Sequence, residues 1–573
     1  MKLIQFEFIC SRPVPFYAAL CNHFLATEHL EISISGKNNR YLIEAVGEQA
    51  EIEQLAERIS QSFMVSVWLL ESHIREVPHR EGTNLPLKNI HHQLPFCLHC
   101  QPRFGDNQSA EFGDWQLACP ICHGEDQLEQ GLAIELELLC QDLLEKRTST
   151  FSYQDHTLTL SLDELPPALT VNPTRSQVLI CNPNTLPQHF IVPEQHVLAL
   201  SSLEKPRVTV RPNPNQTALT RALYDIVFGY DRILAIVTER LRQLGVGYVH
   251  YQAERYQPLV TWLNEGWSEV QANPNAFPIT PVRAVEPLHE DGCFSHINAF
   301  WHKGRIHFNH QPIENTVSHE HIATCALLAG GIDHSDSRNS AVIYFGEAGF
   351  DEIVTEDKFT RTEIFLRQQP MSTFGYDLIA QLEQADQKTV LDKFKQQYPE
   401  QYQALHQLNL AGFEQKLSGI FAIAATVLGL DGQNVCELND RLQAQAMSYP
   451  NYRGEQIDFD IDPDAEGRSI DWKKMIGSLM SYRLITEEHD IPQLAFGIYD
   501  SLADKLSNWI EHLDQQVGVK SVVLAGKGFT NEVFAWRTAL RIGKNYPINI
   551  NRKLDLEGAN ISAGSLYLKV RRK

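Results

Sequence analysis

The sequence predicts a multi-domain protein of the mixed α/β and α+β class. The chain has 573 residues, which is enough for roughly three to five domains of ordinary size. Residues 1–80 and 209–573 both alternate between strand-like and helix-like hydrophobic patterns. A cysteine-rich segment, residues 89–127, follows the small N-terminal unit. Together these observations favour several α/β units over an all-helical or all-β protein.

Residues 1–80 are expected to form a small α+β unit with the element order βαββαβ. Its strand segments are rich in β-branched and aromatic residues, whereas its helical segments carry apolar residues three or four positions apart. The expected strands are KLIQFEFI, LEISIS, YLIEAVG and MVSVWLL, and the expected helices are PFYAALCNHFLA and QAEIEQLAERISQ.

Four cysteines are the strongest chemical signal in the chain. Cys97, Cys100, Cys119 and Cys122 form two C-x2-C pairs separated by 18 residues, a spacing typical of closed structural zinc sites. Because thiolates fill all four positions of the tetrahedron, no position is left for a reacting water, and a structural role is expected. The alternative is four buried or free cysteines without a metal.

Residues 128–208 are interpreted as a short linker domain. It begins with an amphipathic helix, LAIELELLCQDLLEK, and continues with short strand-like segments interrupted by Pro and Asn. The expected strands are TLTLSL, QVLIC and HVLALSS. From residue 209 onwards, long helical patterns alternate with strands, as in a large α/β domain.

No segment predicts a membrane span. The longest apolar stretch, LSGIFAIAATVLGL, is shorter than the roughly 18 apolar residues that a spanning helix needs, and it contains Ser418 and Gly419. It is therefore expected to be a buried helix. The other seven cysteines are scattered and form no disulfide framework, which favours the reducing cytoplasm.

The charge balance argues against nucleic acid as a partner. Lys and Arg total 49 against 71 Asp and Glu, so the formal net charge is -22. Binding to a phosphate backbone relies on an excess of basic residues, which this composition lacks. A zinc-dependent nucleic-acid module is therefore disfavoured.

Several short motifs, taken in order, resemble the HypF family of carbamoyltransferases, which mature nickel-iron hydrogenases. Each motif is short, but they follow the family's order over most of the chain. The segments that carry the resemblance are Arg12-Pro13, LPFCLHCQPRF, VSHEHIATCALLAG, VIYFGEAGF, SGIFAIAATVLGL, VVLAGKGFTN and EGANISAGS.

The resemblance implies a domain order. Residues 1–80 would be an acylphosphatase-like domain, 89–127 a zinc-finger segment, and 128–208 a remnant of a YrdC-like domain. Residues 209–573 would be a two-lobed, Kae1-like domain of the ASKHA type, which binds ATP or carbamoyl-adenylate. The implied partners are proteins that take part in metal-centre maturation.

The resemblance also implies site residues. His319 and His321 are the candidates for the family's catalytic and metal-binding histidines, although Val317 stands where the first histidine of the family's pair is usual. The candidates for cofactor binding lie in two loops near the ends of predicted strands. They are Gly346, Gly526, Lys527 and Asn531.

The chain departs from the family where the family does chemistry. The acylphosphatase phosphate loop is shortened to FICS, and Gly36 aligns with its catalytic Asn. In the last domain, Glu347 and Lys527 replace loop glycines, and Gly558 or Glu557 aligns with the terminal metal-binding Asp. These departures predict a degenerate accessory or scaffold protein. The alternative is an active carbamoyltransferase that passes a carbamoyl group from a nucleotide intermediate to a partner's thiol or a small molecule.

Overall fold

A computed structural model of the chain falls into two compact units, Met1–Val260 and Thr261–Lys573. Each unit is described by itself. The described residues are 2–88, 90, 94–127, 135–153, 156–165, 175–254, 257–270, 273, 276–282, 286–312, 314–332, 339–356, 361–463 and 465–569.

The first unit begins with a four-stranded antiparallel sheet that has the predicted βαββαβ order. The strands lie in the order β2-β3-β1-β4. The elements are β1 (Lys2–Cys10), α1 (Pro15–Thr27), β2 (Glu31–Lys37), β3 (Arg40–Gly47), α2 (Gln49–Ser62) and β4 (Leu69–Glu76).

The last strand of this sheet starts later than its sequence suggests. The segment MVSVWLL predicts a strand from Met64, but β4 begins at Leu69. The hydroxyl of Tyr17 donates to the Met64 carbonyl at 2.8 Å and accepts from the Ser66 N–H at 3.0 Å. These bonds satisfy part of the loop backbone, so Met64, Val67 and Trp68 are buried without pairing in the sheet, whereas Val65 is exposed.

The rest of the first unit is a mixed sheet with flanking helices. Its main path of strands is β12-β9-β10-β7-β11-β6-β5, and β8 pairs with β9. The elements are α3 (Gln101–Phe104), α4 (Leu136–Lys146), β5 (Thr148–Tyr153), β6 (His156–Ser161), β7 (Ser176–Ile180), α5 (Leu186–His189), β8 (Phe190–Ile191), α6 (Glu194–Ser201), β9 (Arg207–Pro212), β10 (Tyr224–Val227), α7 (Arg232–Gln243), β11 (Tyr248–Ala253) and β12 (Leu259–Trp262).

One predicted strand of this region is wrong. HVLALSS lies in helix α6, which begins at Glu194 directly after Pro193. The buried residues of α6 are His196, Ala199 and Leu200, three and four positions apart, which is helical rather than strand periodicity. The four consecutive apolar residues at 197–200 therefore lie on a helix and do not alternate across a sheet.

The second unit contains a small antiparallel sheet, β14-β15-β16, and a five-stranded sheet, β19-β18-β17-β20-β21. In the larger sheet, β17, β20 and β21 run parallel. The strands are β13 (Trp267–Glu269), β14 (Asp291–Phe294), β15 (Ile297–His302), β16 (Arg305–His310), β17 (Ser340–Tyr344), β18 (Glu352–Glu356), β19 (Thr362–Arg367), β20 (Ser521–Ala525) and β21 (Ile548–Asn549).

Ten helices of the second unit cover these sheets or extend beyond them among the described residues. They are α8 (Ile322–Gly330), α9 (Gly375–Gln384), α10 (Lys388–Gln397), α11 (Pro399–Gln407), α12 (Leu417–Val427), α13 (Val435–Ser448), α14 (Trp472–Arg483), α15 (Ile491–Val517), α16 (Glu532–Ile542) and α17 (Ala559–Ser565).

The predicted buried helix is α12. Almost every side chain of Leu417–Val427 is buried, and α12 shares one hydrophobic core with α13, α14 and α15. Among the described residues, the helices are too short or too polar to cross a membrane.

The mixed α/β and α+β fold class is confirmed. The domain boundaries inferred from the sequence, at 80, 127 and 208, stay predictions. The division into compact units falls after Val260, because β9 to β12 pair within the sheet of the first unit.

Candidate functional site

The two cysteine pairs of the first unit meet at one point. The Sγ atoms of Cys97 and Cys119 are 3.7 Å apart, as are those of Cys100 and Cys122, and the Cys97–Cys100 distance is 4.0 Å. All four ligand atoms lie within 4.8 Å of one another, and all four residues are buried. A tetrahedral thiolate site with metal–sulfur bonds of about 2.3 Å needs sulfur–sulfur distances of about 3.8 Å. The arrangement therefore fits a closed four-thiolate metal centre.

Backbone hydrogen bonds shape the two cysteine turns. The N–H of Cys97 donates to the Cys100 sulfur at 3.3 Å, and the N–H of Gln101 donates to the Cys97 carbonyl at 3.0 Å as α3 begins. In the second turn, the N–H of Cys119 donates to both carboxylate oxygens of Glu125 at 3.1 Å. The bond from the Cys97 N–H stabilises the negative charge of the Cys100 thiolate, whereas the other bonds fix the backbone of the two turns.

A single arginine attaches the cysteine segment to the mixed sheet domain of the first unit. Arg232 is the first residue of α7, and its side chain is fully buried. Its guanidinium donates to the carbonyls of Pro95 at 2.7 Å, Trp115 at 3.0 Å and Leu117 at 2.6 Å. Pro95 lies just before the first cysteine pair, and Trp115 and Leu117 lie just before the second. One side chain therefore fixes the segments that lead into both pairs.

Arg232 also supplies positive charge to the metal centre. Its Nη2 atom lies 3.2 Å from the Glu125 carboxylate and 3.9 Å from the Cys100 sulfur. The guanidinium carbon is 5.2 Å from the centre of the Phe104 ring. Four thiolates around a divalent cation carry two net negative charges, and a buried charge of this kind needs a nearby cation. The sequence gives no sign of this partner, because Arg232 is more than 100 residues away from the cysteines.

A second site lies in the second unit, around the carboxylate of Glu557. Its Oε1 atom accepts hydrogen bonds from the Tyr344 hydroxyl at 2.9 Å and from the Ala348 N–H at 2.8 Å. Its Oε2 atom accepts from the N–H groups of Glu347 at 3.2 Å and Lys527 at 3.1 Å. Three backbone donors and one hydroxyl thus surround one carboxylate, in an arrangement that we call the Glu557 cradle.

The sheet topology creates this cradle. Strands β17 and β20 are parallel neighbours, so the loops that follow Tyr344 and Ala525 leave the sheet at the same edge. Gly526 has a φ of 95°, and a Cβ atom there would lie 2.3 Å from the Phe345 carbonyl oxygen. A Cβ atom at Gly346 would lie 2.3 Å from the Tyr344 hydroxyl. Both glycines are therefore needed for the loops to pack this closely.

Lys416 supports the loop that follows β17 by hydrogen bonds to its carbonyls. Its Nζ atom donates to the carbonyls of Gly346 at 2.8 Å, Ala348 at 3.2 Å and Gly349 at 2.8 Å. It also lies 3.7 Å from the Asp351 carboxylate. The cation thereby fixes the loop conformation that presents its N–H groups to Glu557.

Two titratable groups beside the loop have pKa values that burial shifts. Burial raises the pKa of Asp351 to about 6, against the lowering effect of the Lys416 charge and of the Leu417 and Gly346 N–H groups. Burial, together with the Glu557 carboxylate, raises the pKa of Tyr344 well above its ordinary value. Tyr344 therefore stays protonated at neutral pH and donates its hydrogen bond to Glu557.

The predicted cofactor residues divide into two groups. Gly346, Gly526 and Lys527 lie at the Glu557 cradle, and the Lys527 Nζ atom pairs with Glu347 at 2.7 Å. Asn531 caps helix α16 instead, where its side-chain oxygen accepts from the Phe534 N–H at 3.1 Å. Their role in cofactor binding stays a prediction.

The candidate catalytic histidines lie on a short helical turn that leads into α8. His321 is half-buried, with its Nδ1 atom 2.7 Å from the Ser318 hydroxyl, whereas His319 is exposed. Within the described part of the chain, the four cysteines are the one group of three or more metal-binding side chains that converge. A catalytic role for either histidine stays a prediction.

Glu557 could not be identified from the sequence as the centre of the second site. It aligns with a metal-binding position of the family, but nothing local suggests that loops some 30 and 210 residues away bind it.

Comparison with known proteins places this architecture among solved folds. A crystal structure of full-length HypF in the phosphate- and nucleotide-bound form aligns with 99% of this chain and 98% of its own, with a TM-score of 0.58 and 12% identity. The chain has the fold of HypF. The crystal structure of T. kodakarensis HypF aligns over the same shares, with a TM-score of 0.57 and 11% identity. The HypF-like fold expected from the motifs is thus confirmed.

The sequence relationship is more limited. Protein HydE of Wolinella succinogenes is 24% identical over 149 residues, which are 26% of this chain and 27% of HydE. The match therefore spans about a quarter of that relative's length. No protein-family model matches the chain.

Replacing one cysteine of the metal centre tests whether the four act together. In Cys97→Ser, the hydroxyl is a far weaker ligand than a thiolate, and the metal content is expected to fall from about one ion per chain to well below half. The melting temperature falls with it. Elemental analysis of the purified proteins measures the loss, with Cys436→Ser as a control outside the cluster. Equal metal content in Cys97→Ser and the unaltered protein would contradict the assignment.

Replacing Arg232 tests its double role. Arg232→Met keeps much of the side-chain volume but removes the guanidinium that donates to three carbonyls, and it leaves the Glu125 carboxylate with the Cys119 N–H as its described donor. The free energy of unfolding is expected to fall by about 3–5 kcal/mol, the usual cost of breaking a buried ion pair from one side. Metal loss to a chelator is expected to accelerate as well.

Arg242→Met is the matched control on the same helix, because Arg242 pairs with Glu239 near the surface. That change should alter the free energy of unfolding by less than about 0.5 kcal/mol. Urea unfolding of all three proteins provides the comparison. Similar effects of the two substitutions would show that Arg232 has no special role.

Proposed function

We propose that this chain is a HypF-related accessory protein of hydrogenase maturation, which acts as a scaffold and does not turn over a nucleotide. The Glu557 cradle carries this proposal. Its donors are of the kind that bind phosphate, but a carboxylate of the same chain already accepts from all of them.

The chemistry of the cradle explains why the Glu557 carboxylate and a phosphate group cannot occupy it together. Backbone N–H groups at strand ends, directed at one point, bind anions, and a phosphate group would need the same donors. A nucleotide would have to displace Glu557, whose attachment to the chain gives it an effective concentration in about the millimolar range or above.

Charge adds to this competition. The Glu347 side chain lies beside the cradle, and its pairing with Lys527 leaves that lysine engaged with a carboxylate. A phosphate brought to this loop would meet two carboxylates and one cation that is already neutralised, and like charges at close range repel.

The metal of the cysteine centre is proposed to be zinc. Four thiolates in a closed tetrahedron are the ligand set of structural zinc sites, and zinc bound there would hold the two cysteine turns together. Each cysteine contributes its thiolate, while Arg232 and Glu125 fix the surrounding loops. No catalytic step involves this centre.

Protein partners fit the proposal better than nucleic acid does. The net charge of -22 opposes binding to a phosphate backbone. No disulfide joins the described cysteines, and those outside the metal centre are mostly buried, as expected in a reducing cytoplasm. The proposed partners are proteins of hydrogenase metal-centre assembly.

Genetic complementation tests the proposed role. In a cell that lacks this chain and has lost hydrogenase activity, a variant combining His319→Ala and His321→Ala should restore activity as fully as the unaltered protein. Lys527→Ala should do the same, because a scaffold needs neither imidazoles nor this cation for chemistry. Cys97→Ser, which loses the metal centre, should restore little.

Two results would count against the proposal. If the double histidine variant is folded and abundant but inactive, the histidines perform chemistry and the active carbamoyltransferase reading is correct. If the unaltered gene does not restore hydrogenase activity, the maturation role itself is wrong.

A further inference from the structure

The small sheet of the second unit is rich in histidine. Five of the 23 histidines of the chain fall within residues 289–310, and neither the cysteine centre nor the Glu557 cradle uses any of them. Two of the five, His302 and His307, lie on the hairpin formed by β15 and β16. Neutral imidazole is a common ligand of divalent transition metals, so two imidazoles held close together on a fixed hairpin can form a metal site.

The strand register brings His302 and His307 to the same face of the hairpin. In the antiparallel pairing, Phe300 lies opposite His307, and His302 is two residues beyond Phe300. Side chains two positions apart on a strand point to the same face, so His302 and His307 are diagonal neighbours. Their ring centres are 5.8 Å apart, and the ring planes make an angle of 70°. The two imidazoles are therefore adjacent on one face of the sheet.

This separation fits two rings that bind one ion. With a metal–nitrogen bond of about 2.0–2.1 Å, the ion lies about 3.2 Å from the centre of each imidazole ring. The centres of two such rings are then about 4.5 Å apart for a right angle at the ion and about 6.4 Å apart for a straight one. The observed 5.8 Å lies between these limits. His302 is exposed, and rotation of its ring can direct a nitrogen to the ion without a change in the backbone.

A short turn and the protein core fix the hairpin. Lys303 and Gly304 connect its strands with φ angles of 48° and 78°, as in the two-residue turns that match the twist of antiparallel strands. Ile306, which precedes His307, is fully buried and exchanges two backbone hydrogen bonds of 2.9 Å with Ile279. The backbone positions of both histidines are therefore set before an ion binds, which lowers the entropy cost of binding.

The two rings have no other polar partner within the ranges of the chain that the structure describes. Neither ring takes part there in a hydrogen bond or an ion pair, and the stacking of His307 on Phe300, with ring centres 5.5 Å apart, leaves its nitrogens available. His289, by contrast, has its Nε2 atom 2.7 Å from the Leu568 carbonyl oxygen. The imidazoles of His302 and His307 are thus available as ligands.

We propose that His302 and His307 form a second metal site, which binds one exchangeable divalent ion of the nickel, copper and zinc class. Imidazole nitrogens suit these ions, and two protein ligands leave the other coordination positions open to water. Arg305 lies opposite His302, and its positive charge opposes a cation there. The ion is therefore held less tightly than in the four-thiolate centre. This inference goes beyond the proposed accessory role, because it rests on the hairpin alone and holds whether or not the chain is an enzyme.

Equilibrium dialysis against nickel tests the site. Elemental analysis counts nickel separately from zinc, so a cysteine centre loaded with zinc in the same protein does not obscure the result. The unaltered protein is expected to bind nickel at micromolar concentration, and a variant combining His302→Ala with His307→Ala should bind about one nickel ion fewer per chain. Either single substitution should weaken this binding by at least about tenfold, because each imidazole raises the effective concentration of the other at the ion.

A control variant removes two exposed histidines outside the hairpin. His289→Ala combined with His489→Ala should leave nickel binding unchanged. Zinc content and melting temperature, measured on the same samples, verify that each variant is folded. His302→Gln alters an exposed position and should weaken nickel binding even if the variants at His307 fold poorly.

Three results would overturn the proposal. The first is a folded double hairpin variant that binds nickel with the stoichiometry and affinity of the unaltered protein. The second is an equal loss of nickel in the control variant, which would mean that binding is a general property of exposed histidines. The third is an unaltered protein that binds no nickel below millimolar concentration.

Discussion

The Glu557 carboxylate is the contact on which the loops at one edge of the five-stranded sheet depend. It joins the loop after β17 to the loop after β20, and both loops owe their close approach to Gly346 and Gly526. Lys416 supports the loop after β17 from the start of the buried helix α12. A carboxylate in this position stabilises the sheet edge without a bound ligand. A nucleotide phosphate that used the same donors would have to displace it.

The same physical rule operates twice in the first unit, because a charge taken out of water must be matched by groups of the chain itself. Arg232 matches the thiolates and carbonyls around the metal centre. The Glu204 carboxylate is matched by the Ser66 hydroxyl and the Val67 N–H of the loop before β4. In each case the partner comes from a distant part of the sequence, so these charges determine how neighbouring segments pack as well as how stable they are.

Local patterns predicted much of the fold and only part of the sites. The spacing of the cysteines predicted their convergence, and apolar content predicted the buried helix α12, because both signals lie within a short stretch of chain. HVLALSS was misassigned because a short apolar run fits a strand and a buried helix equally well. Glu557, Arg232 and Glu204 were out of reach, since each is defined by donors far away in sequence that only the folded topology brings together.

Nucleotide titration most directly tests the central claim that Glu557 replaces a phosphate in its cradle. Calorimetry of the unaltered protein with ATP is expected to show no binding up to millimolar concentration, and carbamoyl phosphate with ATP should yield no pyrophosphate. Glu557→Ala, with Glu383→Ala on the exposed face of α9 as control, should gain measurable affinity for phosphate because its N–H donors are released. Micromolar binding of ATP to the unaltered protein, or pyrophosphate release by it, would contradict the account.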